Sequence, residues 1–167
     1  MLRGNVSDVL LFKCNMEDMN MALARLRRIC EKSWQQGTAH KSVRHISTSG
    51  SSTGQCFVTS WVIFEELANN PLVSNVSICR GVTRLNSAST LHDHCWVEGY
   101  LTDSRFLIDI TLDQAGGPEI VFLNPSNRSQ NATEYFCQRT YTSYSTLSNE
   151  TQVRINRLKM ALEGLYA

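Results

Sequence analysis

Cys56, His94 and Asp109 are residue types that together can perform nucleophilic acyl chemistry, in which a thiol attacks a carbonyl, an imidazole moves the proton and a carboxylate orients the imidazole. Only a thiolate is a strong nucleophile, so such a cysteine needs surroundings that lower its pKa. The first turn of a helix supplies them through unpaired N–H groups and the helix dipole. Phe57, Val58, Trp61, Phe64, Leu67 and Ala68 make the segment after Cys56 an apolar helix that ends at Asn69-Asn70-Pro71, which puts Cys56 in its first turn. The same N–H groups could hold the oxyanion formed on attack, and Gly54 leaves room for a substrate against the backbone. The competing reading makes Cys56 simply the first buried residue of a core helix.

His94 belongs to the run His92-Asp93-His94-Cys95-Trp96-Val97-Glu98, where strand alternation puts His92, His94, Trp96 and Glu98 on one face. A histidine on a rigid strand is well placed as a general base. The commoner fate of a lone histidine is to be satisfied by hydrogen bonds at a sheet edge; a metal ion held by His92 and His94 with Cys56 or Asp93 is the lesser alternative, because no second ligand cluster accompanies them. Asp109 interrupts the apolar run Phe106 to Leu112, and a carboxylate there needs a partner if buried. A hairpin turning at Thr102-Asp103-Ser104 brings Asp109 to the level of His94 to Trp96 on the adjacent strand. Asp113 and Glu98 are the rival partners for His94.

The elements that must position these residues follow from periodicity. Met16, Met19, Leu23, Leu26 and Cys30 step by helical intervals, with Asn15 as a cap and Gly37 closing the end. Gly37 to Gly54 is rich in Ser, Thr and Gly and reads as a loop leading to Cys56. Val73 to Leu85, His92 to Leu101, Arg105 to Thr111 and Glu119 to Leu123 read as short strands of an antiparallel sheet. The segment around Tyr135 and Phe136 has no decisive period. A final helix from about Asn149 carries Val153, Leu158, Ala161, Leu162 and Leu165, with Ser148 or Asn149 as its cap. Helices, then a sheet, then a helix give an α+β fold with N-terminal helices packed on an antiparallel sheet and a C-terminal helix.

With 167 residues, 42% of them apolar and 19% charged, the chain is expected to form one catalytic domain over residues 1–167 rather than a disordered segment. A net charge of +1 favours neither nucleic acid nor an anionic membrane as partner. No stretch approaches a membrane span, and Val9 to Phe12 is too short for a secretory signal. The expectation is a soluble protein, cytoplasmic or exported without a cleaved signal. Cysteines at 14, 30, 56, 79, 95 and 137 include no Cys-x-x-Cys pair, which argues against a zinc ribbon or thioredoxin-type site; without a secretory signal reduced thiols are expected, and no metal or other cofactor.

The segments GQCFVTSW, HCWVE and IDITLDQ resemble the cysteine, histidine and aspartate motifs of the transglutaminase-like and papain-like superfamily. The spacings, 94 − 56 = 38 and 109 − 94 = 15 residues, are similar to those of arylamine N-acetyltransferases. The GQC and D-x-T-x-D-Q features look closer to small bacterial papain-fold toxin and effector domains that deamidate glutamine. Covering about residues 50 to 115, the resemblance implies a papain-like or transglutaminase-like core with Cys56 as nucleophile, His94 as base and Asp109 as orienter. It further implies action on carboxamide or peptide carbonyls of a protein substrate, with glutamine deamidation or transglutamination ahead of proteolysis and thioester acyl transfer. A toxin or effector role, delivery to a target cell and a small inhibitor protein as partner belong to the same analogy. A binding module that keeps the fold with an inert Cys56 is the rival from another class. Ser52-Thr53-Gly54-Gln55 replaces the arginine-rich approach of the acetyltransferases, which points away from acetyl-CoA. Gln55 adjoins Cys56 instead of preceding it by several residues, so the second oxyanion donor stays open among Gln55, Gln36, Trp34 and Trp96.

Overall fold

The computed structural model describes residues 16–43, 50–85, 89–128 and 132–164. Among them the order is helix α1 (Met16–Ser33), helix α2 (Cys56–Ala68), strands β1 (Val73–Leu85), β2 (Ser89–Leu101), β3 (Ser104–Asp109), β4 (Val121–Leu123) and β5 (Thr133–Tyr141), and helix α3 (Asn149–Gly164). A short 3-10 turn, Leu112–Ala115, follows β3. The strands form one antiparallel sheet in the order β4-β3-β2-β1-β5. The fold is therefore α+β with a C-terminal helix, as the periodicity predicts.

Helix α2 lies directly on β1 and β2, whereas α1 packs beside α3. The main core fills the space between the helices and one sheet face, with Leu26, Trp61, Leu67, Ile78, Val97 and Ile108 almost wholly buried. A second core of Cys79, Trp96, Leu107, Leu112, Val121 and Leu123 covers the opposite face. Each fully buried side chain of this size contributes about 1.5–3 kcal/mol. Because both faces are covered near the middle of the sheet, His94 and Asp109 are enclosed. No helix among the described residues is long and apolar enough to cross a membrane.

The β2–β3 hairpin fixes the register on which the site depends. Leu101 pairs with Ser104, leaving Thr102 (φ 44°) and Asp103 (φ 67°) as a two-residue loop with both central residues left-handed. This geometry matches the twist of paired strands. Val97 then lies opposite Ile108 and Glu98 opposite Leu107, which brings Asp109 level with Trp96.

Several local expectations are corrected. Helix α1 stops at Ser33, ahead of Gly37, because the Thr38 hydroxyl bonds both the N–H and the carbonyl of Gln35 and locks a turn there. The proposed Asn15 cap and Leu165 lie outside the described residues. The segment around Tyr135 and Phe136 is strand β5, the sheet edge beside β1. The buried stripe of α3 is Arg154, Ile155, Leu158 and Leu162, while Val153 faces outward at 48% exposure. Ser148 caps α3 by accepting the Thr151 N–H at 3.3 Å.

Candidate active site

The approach to Cys56 is set by Gly54, whose φ of 72° favours glycine and whose added Cβ would lie 2.6 Å from Val43 Cγ2. The His40 N–H donates to the Gly54 carbonyl at 2.9 Å, and the Gly54 N–H donates to Gln114 Oε1 at 3.4 Å. Gln55 adopts helical angles and provides no side-chain cap, and the first turn of α2 holds no acidic residue. Its N–H groups and the positive end of the helix dipole therefore bear on Cys56 without a competing carboxylate. Cys56 is half-buried and opens into a cleft of about 550 Å³ lined also by His40, Cys95, Gln114, Arg80 and Arg154.

His94 and Asp109 are 2% and 1% exposed, on the sheet face shared with Trp96. His94 Nε2 donates to Asp109 Oδ2 at 2.6 Å. The Tyr135 hydroxyl donates to the same oxygen at 3.1 Å, and Oδ1 accepts the Thr111 N–H at 2.9 Å and the Thr111 hydroxyl at 3.2 Å. Four donors thus compensate a carboxylate removed from water. With Nε2 committed to Asp109, Nδ1 is the ring nitrogen left for other partners; Gln114 Nε2 lies 3.2 Å from it, and Cys56 bears on the ring as a further hydrogen-bonding influence. The Trp96 ring stacks against His94 with centroids 6.3 Å apart and 28° between planes, which restrains the imidazole's tilt.

Burial works against the imidazolium, but the Asp109 carboxylate, its hydrogen bond and the Cys56 sulfur outweigh it and raise His94 to about 10. Cys56 is driven well below an ordinary thiol, first by a hydrogen bond from the Cys95 thiol, then, against burial, by the hydrogen bond and charge of His94. Cys95 moves the opposite way, chiefly because it donates to Cys56, with burial adding to the rise. Both shifts act in the direction of a Cys56 thiolate paired with a His94 imidazolium.

The rival carboxylates are engaged elsewhere. Asp113 takes a bidentate pair from Arg27 at 2.7 and 2.8 Å and a hydrogen bond from Ser52 at 3.0 Å. Glu98 accepts the Trp96 indole N–H at 2.8 Å and bonds Arg105. Trp96 therefore steadies the His94 ring and has no N–H free for an oxyanion. Gln55 is fully buried and turned inward, with Nε2 on the Gln35 carbonyl at 3.2 Å. Gln36 is exposed on the Val43 carbonyl, and Trp34 donates to Thr59 beneath Arg27. Neither Gln36, Gln55 nor Trp34 lines the cleft.

Alternation along β2 holds from His94 onward and breaks before it. Asp93 has φ 60°, and the register slips between Gly81↔His94 and Thr83↔Leu91, so a bulge puts both His92 and Asp93 on the cleft. Gln114, Cys95 and Arg154 were not foreseen from the sequence as site residues. Gln114 does stand in the D-x-T-x-D-Q segment, and Arg154 interrupts an apolar stripe at helical spacing with Leu158 and Leu162, a signal that periodicity could have exposed. No protein-family model matches the chain, and no curated protein and no solved structure matches it.

Chemically, the arrangement can deliver a preformed thiolate to a carbonyl carbon in the cleft, hold the oxyanion at the α2 N-terminus and return a proton from His94 to a leaving group.

Proposed function

We propose that the chain is a cysteine-dependent acyl-transfer enzyme of papain-like or transglutaminase-like type. Its reaction is the deamidation or transglutamination of a protein glutamine, in the manner of a small effector or toxin domain. The observation that carries the reading is the buried relay from Asp109 through His94 to Cys56, with 2.6 Å between Asp109 Oδ2 and His94 Nε2. In this reading the Cys56 thiolate attacks the carboxamide carbon, and the carbonyl oxygen becomes an oxyanion facing the first N–H groups of α2. His94 gives its Nδ1 proton to the departing nitrogen, ammonia leaves and a thioester remains. Water, or an amine in transglutamination, then attacks the thioester as His94 takes up a proton, which releases the product and regenerates the thiolate.

The test is to incubate wild type and C56A with a broad panel of proteins and peptides and to measure mass. Deamidation adds about one mass unit at glutamine, transglutamination with an added amine adds the mass of that amine less ammonia, and both changes must vanish in C56A. A Cys56-dependent chain cleavage instead would turn the reading to a peptidase. No Cys56-dependent product of either kind, together with slow alkylation of Cys56 at neutral pH, would reduce the fold to a binding module.

A further inference from the structure

The lining of the cleft that holds Cys56 is cationic. Arg80, Arg139 and Arg154 line it, and Asp93 is its one carboxylate among the described residues. Asp93 is taken by Arg80 Nε at 3.2 Å, and Glu150, the acid nearest Arg154 on α3, lies in an ion pair with Lys41 at 3.5 Å. Arg154 is only 7% exposed, yet its Nε and Nη1 atoms have no hydrogen-bond partner, and Nη2 has a single long bond to the Thr151 hydroxyl at 3.3 Å. A guanidinium enclosed in this way normally has its five N–H donors matched, because an unmatched buried charge is costly. Here the donors are left over on a side chain that lines the cleft holding Cys56.

From this we infer that the cleft recognises a substrate carrying an anionic carboxylate or phosphate group close to the scissile carbonyl, with Arg154 as its receptor and Arg139 at the rim. The inference rests on the reading of Cys56 as nucleophile and adds the substrate's charge. An anion placed there would complete the Arg154 hydrogen bonds with the charge-assisted kind that guanidinium forms best. Specificity would follow, since a neutral analogue leaves the same donors unpaired.

Two alkylating reagents of equal size test the charge without a known substrate. Iodoacetate and iodoacetamide are reacted with Cys56, and the ratio of their rates is compared with that of free cysteine in the same buffer. Wild type should favour the anion by about tenfold over free cysteine, R154Q should lose most of that preference, and R154K should keep part of it. The ratio cancels any change in thiolate fraction, because both reagents meet the same thiolate. An unchanged ratio in folded R154Q overturns the inference and assigns the preference to the other cations about the cleft, His94, Arg80 and Arg139. If R154Q does not fold, protection of wild-type Cys56 from iodoacetamide decides, at constant ionic strength. Glutarate or a blocked Glu-Gln-Glu peptide should protect and glutaramide should not; equal protection overturns the inference. Stronger protection by the peptide places the anion on a protein substrate, and stronger protection by glutarate on a small carboxylate. Slow alkylation by both reagents would fail the nucleophile reading itself, a separate outcome from charge-indifferent but fast alkylation.

Discussion

Replacing Asp109 by Asn keeps the side chain's shape and removes the charge that holds His94 protonated. His94 stands at about 10 against 6.5 for a free imidazole, and the rise of 10 − 6.5 = 3.5 corresponds to about 5 kcal/mol of preference for the imidazolium. Burial is the largest single influence on the ring and already opposes that preference, so without the carboxylate the buried ring becomes neutral near pH 7. Cys56 then loses the cation beside it but keeps the hydrogen bond from Cys95. Its pKa therefore rises towards the ordinary thiol range, with the Cys95 hydrogen bond still holding it down against burial, and a smaller fraction is ionised at pH 7. A more basic thiolate is more nucleophilic, by about 0.4–0.5 log units per pKa unit, which recovers part of the loss. The two effects oppose each other at any single pH, so the expectation is carried by the profile: D109N labelling should rise by up to about tenfold per pH unit below its thiol pKa while wild type stays level. The assay is the rate of iodoacetamide labelling of Cys56, read by mass spectrometry from about pH 5 to pH 10, with urea unfolding to confirm that D109N is folded. Wild type should be flat through neutrality, and D109N should climb with pH. A flat D109N profile at the wild-type rate would refute the idea that Asp109 governs the pair.

The remaining expectations probe the same relay and its supports. Between about pH 6.5 and 9, folded His94 holds a proton that the unfolded chain has lost, while folded Cys56 has lost one that the unfolded chain holds, so wild-type stability should vary little. C56S removes the second contribution; the raised His94 pKa then stabilises fully below pH 6.5 and less as pH rises towards the folded pKa, with a slope of up to ~1.4 kcal/mol per pH unit in urea titrations. G54A forces a side chain onto a φ of 72° and into Val43, and should cost about 2 kcal/mol in urea and slow Cys56 alkylation; an unchanged midpoint would show that the loop tolerates a side chain. R27M leaves Asp113 with only the Ser52 hydroxyl, and should destabilise by about 3 kcal/mol while the shape of the Cys56 pH profile is kept. A flattened or shifted profile in folded R27M would place Asp113 in the relay after all.

Local patterns carried far in this chain. The apolar run after Cys56 marks helix α2 to within its first residue, and the β1 to β3 strands follow from β-branched and aromatic runs between turn residues. Strand β5 was not legible, because it is an edge strand with most of its side chains exposed and so carries no apolar alternation. The outward-facing Val153 and inward-facing Arg154 show the same weakness in reverse, since composition favours the valine and packing chose the arginine.

The sequence by itself determined the order of the reactive residues, a cysteine at a helix start and an aspartate in an apolar run that demanded a partner. Which carboxylate meets His94 was decided by tertiary structure, because a one-residue slip of the β2–β3 register would turn Asp109 to the other face. The engagement of Asp113 by Arg27 depends on contacts 86 residues apart, and the gathering of Gln114, Cys95 and Arg154 around Cys56 depends on a bulge at Asp93 and the docking of α3. Local propensity and spacing act over a few residues, whereas these distances are set only when the sheet and helices close on a shared core.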